Sequence, residues 1–114
     1  MTNELPAPPK TYKAFLARYP KIGEAWEIIR EAGGEGPMDE KTAYLVRIGI
    51  AFGAMREGVV RSSIRKALAR NVSREEIEQV IALSASTIGL SSTVTVYSWA
   101  RDVLETSETA GNKP

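Results

Sequence analysis

Glu57 is the carboxylate in this chain whose neighbours best suggest chemistry: it follows Arg56, precedes Gly58 and stands four residues before Arg61. A carboxylate there can serve as general acid or base if burial raises its pKa. The adjacent arginines and a helix N-terminus favour its ionised form, which weakens it as a base. The same residues open a basic run of Arg56, Arg61, Arg65, Lys66, Arg70 and Arg74, in a protein of net charge +1. Such a run is either an anion-binding face for a carboxylated metabolite or phosphate, or a solvated helix surface with Glu57 paired to Arg61. A second group is hydroxylic: Thr87, Ser91, Ser92, Thr93 and Thr95 cluster around Gly89. These side chains either help bind an anion at a helix break or bond back to their own helices.

What the chain lacks is equally informative. It has no cysteine and no histidine. There is therefore no thiolate nucleophile, no disulfide, no side chain titrating unperturbed near neutral pH and no usual zinc ligand. No metal cluster, phosphate loop or catalytic triad can be assembled, and no cofactor is expected. The near-zero net charge gives no general pull toward nucleic acid. The stretch around Leu68–Ser73 suggests a helix-turn-helix, but Glu75, Glu76 and Glu78 would meet the phosphates of DNA. Val80 to Ala100 carries no charge and is long enough to span a bilayer. Its many hydroxyls and Gly89 predict instead two buried helices of a soluble protein, joined by a tight turn. The N-terminus shows no signal-peptide pattern, so a cytoplasmic location is expected.

These residues need a scaffold, and the periodicity predicts one all-α domain of about six helices. The chain of 114 residues suits a single domain. Residues 1–9, with three prolines, read as an extended arm, 10–105 as the helical domain and 106–114 as a flexible tail. Lys10 to Arg18 forms a short helix, and Pro20 suits the first turn of a second. Ile22, Trp26, Ile28 and Ile29 are expected to face a core. Asp39 is the expected N-cap of a third helix reaching about Met55. Leu45, Ile48, Gly49 and Phe52, with Val46 and Ile50 opposite, make it apolar nearly all round, as for a central helix. Gly49, Gly53, Ala51 and Ala54 would allow close approach of neighbours. A fourth helix over 57–70 turns Val60, Ile64, Ala67 and Leu68 inward and ends at Asn71. Ser73 and Glu76 form a capping box for a fifth helix burying Ile77, Val80, Ile81 and Ser84. A sixth runs from Gly89 to about Glu105 along Val96, Trp99, Ala100 and Val103.

Lys41 to Leu104 resembles the carboxymuconolactone decarboxylase and alkylhydroperoxidase D-like family. The matching pieces are Phe52-Gly53-Ala54, Arg56-Glu57-Gly58, Arg65-Lys66-Ala67-Leu68, the cap from Val72 to Ile77, and Trp99-Ala100. Their order and spacing carry the resemblance. It implies an all-helical fold built around a helical hairpin, and assembly as a homotrimer or homohexamer. The peroxidase branch of that family uses Glu-x-x-Cys-x-x-Cys-x-x-x-His. Laid on this chain, those four places fall at Gly53, Arg56, Val59 and Ser63. The histidine of the lactone decarboxylase branch is likewise replaced, at Ser63.

The resemblance thus implies a family frame without its reactive residues, and no thiol peroxidase activity is expected. The first expectation is a protein that binds or acts on a small organic acid. Arg56 and Arg61 would hold the anion, with Thr87 as a further ligand contact, Glu57 as acid or base, and Ser63 in the place of the family histidine. The alternative is a non-catalytic oligomeric scaffold or binding protein with a filled site. Neither reading involves nucleic acid or a membrane.

Overall fold

The computed structural model describes the backbone of residues 10–111 and side chains up to Ser107. All six helices expected from the periodicity are present: α1 (Lys10–Arg18), α2 (Pro20–Gly33), α3 (Glu40–Ala54), α4 (Glu57–Leu68), α5 (Arg74–Ile88) and α6 (Leu90–Gly111). No strand occurs among the described residues. The chain divides into two compact units, one holding α1 and α2 and the other α3 to α6. The expected arm over residues 1–9 and the last three residues of the tail lie outside the described residues.

In the larger unit, α3 packs on α4 and α5, and α6 packs on the same two helices, which closes a four-helix ring. Its core is Ile48, Phe52, Val60, Ile64, Ile77 and Val96, all fully buried, together with Ala51, Ala67 and Ala100. These residues fall at helical spacing on each element, so each helix offers one apolar stripe inward. Local chemistry sets the boundaries. Asp39 accepts a 2.8 Å hydrogen bond from the Thr42 amide and starts α3. Hydrogen bonding to Thr42, from its side chain first and its amide next, holds the Asp39 carboxyl below its ordinary value. Met55 (φ 57) and Asn71 (φ 68) take left-handed backbone after α3 and α4, the conformation that commonly stops a helix. The Val72 amide then bonds back to the Ala67 carbonyl at 3.1 Å. Ser73 and Glu76 close the expected capping box: Glu76 N to Ser73 Oγ is 3.0 Å and Ser73 N to Glu76 Oε1 is 2.8 Å. Gly89 (φ 88, ψ 158) alone separates α5 from α6, in a conformation open essentially to glycine.

The smaller unit corrects one expectation. Ile22, Trp26, Ile28 and Ile29 are exposed, and neither α1 nor α2 contains a buried residue. Periodicity shows that a face is apolar without showing what covers it. Within the unit, Phe15 and Tyr19 rings meet at 5.3 Å and Leu16 lies against Gly23.

Four further expectations change in the larger unit. Val46 and Ile50 are exposed, so α3 is buried on one side only. Gly49 does let Val80 approach, but a side chain at Gly53 would meet nothing within 4 Å. The uncharged stretch from Val80 to Ala100 is not buried as a whole, because Leu83, Leu90, Val94 and Tyr97 face outward. A ring of four helices covers one face of each and leaves the other face to the surface. Finally, α6 continues as helix past Glu105 to Gly111, with Val103 and Leu104 buried near its end.

Candidate functional site

The start of α4 gathers most of the candidate residues. Arg56 is its N-cap residue in extended backbone, but no side chain caps the helix. The first amides of α4 are thus left without a side-chain acceptor, next to an exposed guanidinium. Arg56 forms no ion pair among the described residues. Ser63 stands seven residues on, two helical turns, and shares the Arg56 face of α4. Val59, on the same side, is 37% exposed.

Glu57 and Arg61 turn to the neighbouring face and pair with each other. Arg61 Nε donates to Glu57 Oε2 at 2.9 Å, and Arg61 Nη2 donates to Asp102 Oδ2 at 3.1 Å. Asp102 lies on α6, so the guanidinium ties two packed helices together as well as holding Glu57. Desolvation works against the charge on Arg61, but the hydrogen bonds to Glu57 and Asp102 outweigh it and hold its pKa above the ordinary value. One guanidinium between two carboxylates leaves a negative local charge, which does not recruit an anion. Of the two arginines expected to hold one, only Arg56 is placed to do so.

The basic run does not form one face. Arg61 goes to Glu57 and Asp102, while Arg74 Nε donates to Glu78 Oε2 at 3.0 Å. Arg70 is held above its ordinary pKa by the Tyr44 side chain and then by Glu40. Thr87 is exposed near the end of α5, a helix that packs on α3 and α6. Two of its hydroxyl neighbours are spent on their own helix: Thr93 Oγ1 donates to the Gly89 carbonyl at 2.8 Å and Thr95 Oγ1 to that of Ser91 at 3.2 Å. Gly53 lies exposed on α3, before the turn into α4. No group of acidic side chains able to hold a metal ion occurs among the described residues.

Asp102 is the residue that sequence reasoning missed. It is 41 positions from Arg61, beyond the reach of any helical periodicity. A weak signal was available, since Asp102 follows the Trp99-Ala100 stripe and must lie beside the buried face of α6. Lys41, whose Nζ is 2.9 Å from Glu76 Oε2, was missed for the same reason.

Comparison with known proteins gives the frame for these positions. No curated protein and no solved structure matches the chain. The family described as the carboxymuconolactone decarboxylase family matches residues 20–102. That span takes in the α3–α4 turn, the whole of α4 and the α6 segment that carries Asp102. With its helical architecture and the match over most of its length, the chain belongs to the carboxymuconolactone decarboxylase family.

Proposed function

We propose that this protein binds or acts on a small organic acid at the start of α4, without the thiol chemistry of the family's peroxidase branch. The observation that carries this reading is an exposed Arg56, without an ion pair among the described residues, beside an uncapped helix start. A carboxylate placed there would meet a guanidinium and backbone amides together, which is stronger than either alone. Glu57, one residue on, is the acid or base nearest such a ligand, and Arg61 fixes its orientation. The Ser63 hydroxyl, on the Arg56 face, supplies a neutral donor where the family has histidine. If a ligand loses carbon dioxide, the Arg56 guanidinium stabilises the enolate-like charge that develops.

The test is turnover and binding across a panel of lactones and keto acids. Arg56→Ala should weaken binding roughly tenfold, the loss of one charge-assisted contact. Activity unchanged in Glu57→Gln would remove the proposed acid or base role. A second reading, a non-catalytic scaffold, is favoured by the three-way contact of Glu57, Arg61 and Asp102. It spends the candidate acid on structure, and it predicts neither turnover nor binding of any acid of the panel.

A further inference from the structure

The two sides of α1 differ in character. Tyr12, Phe15, Leu16 and Tyr19 recur at i, i+3, i+4 and i+7 and so share one side. The Tyr19 amide bonds to the Phe15 carbonyl at 2.9 Å, which carries the helical geometry through Tyr19. Tyr12 is 45% exposed, Phe15 48% and Tyr19 46%, and the last two rings meet at 5.3 Å. The rest of the circumference carries Lys10, Lys13 and Arg18, and α1 contains no acidic residue. By their spacing Lys13 and Arg18 flank the aromatic stripe, one on each edge. The Arg18 guanidinium lies 5.1 Å from the Tyr19 ring centroid, a cation at the margin of the stripe. Acids return in α2, where Glu24, Glu27 and Glu31 recur at i, i+3 and i+7. That spacing puts them on the side of α2 away from Ile22, Trp26 and Ile29.

We propose that α1 docks this stripe on an anionic phospholipid surface. An aromatic side edged by lysine and arginine is the composition of a helix that lies in the plane of a membrane interface. Phe15 enters the boundary of the acyl chains, the tyrosines sit at headgroup level, and Lys10, Lys13 and Arg18 reach the lipid phosphates. Charge complementarity selects this partner. A second α1 would set three cations against three, whereas an anionic surface meets all of them with opposite charge. No helix among the described residues is long and apolar enough to cross a membrane, so the contact is at the surface. The proposal revises the expectation that no membrane is involved, because a net charge of +1 over the whole chain averages this helix away. It does not depend on the acid-binding reading of α4.

The test is partition of the full chain onto phosphatidylcholine vesicles with and without about one third phosphatidylserine. Each cation near an anionic surface strengthens binding about fivefold. Vesicles with phosphatidylserine should therefore bind roughly a hundredfold tighter, and most of that gain should vanish in molar salt. Lys10→Gln with Lys13→Gln should reduce the gain about 25-fold. Phe15→Glu with Tyr19→Glu should abolish binding to either vesicle, with helical circular dichroism retained. Hydrogen exchange of α1 amides should slow on the anionic vesicles, while core amides of α3 to α6 exchange as before. A wild-type chain left in solution by the anionic vesicles at low salt overturns the proposal, as does equal binding to the two kinds of vesicle. Binding unchanged by the Phe15 and Tyr19 substitutions overturns it as well. So do α1 amides protected like the core without lipid, since the stripe is then covered by the chain itself or by another copy.

Discussion

Arg61 donates to two carboxylates at once, and the balance between them decides what Glu57 is free to do. All three side chains retain solvent contact, with Arg61 the least exposed at 28%. Water and salt therefore screen the attraction. A double-mutant cycle with Arg61→Ala and Asp102→Ala, read by urea unfolding, should give a coupling of roughly 0.5 kcal/mol that shrinks in molar salt. A coupling several times larger would mean that the contact is a structural clamp first. Half of this arrangement was legible in the sequence, because Glu57 and Arg61 stand at i, i+4 on one helix. The other half depends on how α4 and α6 pack, and no local pattern encodes that.

At the scale of the element, α5 is held at its start by side chains that do several tasks. Ser73 accepts from the Glu76 amide, and Glu76 accepts from both the Ser73 amide and Lys41 of α3. Ser73→Ala should lower stability by about 1 kcal/mol, measured by denaturant unfolding. The Glu76 carboxyl sits below its ordinary value of 4.5, through Lys41 first and the Ser73 amide next. A folded pKa below the unfolded one adds stability above the unfolded value and withdraws it as pH falls through the folded value. Urea midpoints should thus fall between pH 7 and pH 3, and by less in Glu76→Gln, whose amide cannot titrate. Caps of this kind are readable in sequence because every partner except Lys41 lies within four residues. The stripes of α2 were readable as apolar too. Their exposure was not, because a helix face is the same sequence whatever comes to cover it.

For the whole molecule, the two units differ in what holds them. The α3–α6 unit has a core of fully buried aliphatic and aromatic side chains, whereas α1 and α2 bury none. A helix of nine residues without a buried face is marginal in water. Hydrogen exchange should therefore find α1 amides within about tenfold of unstructured rates, and core amides of α3 to α6 slower by about a thousandfold or more. Equal protection across both units would show that the apolar stripe of α1 and α2 is covered by a partner. The single-residue junction at Gly89 carries a consequence for how the chain can vary in length. The connection between α2 and α3 is several residues of turn and bend, and can absorb an insertion without moving either helix. Between α5 and α6 there is no such slack. One residue added after Gly89 would advance α6 by about 1.5 Å and turn it by about 100°, taking Val96, Ala100 and Leu104 out of register with the core they now fill. The α5–α6 junction is therefore a point where the chain cannot change length without disturbing the core of the four-helix ring.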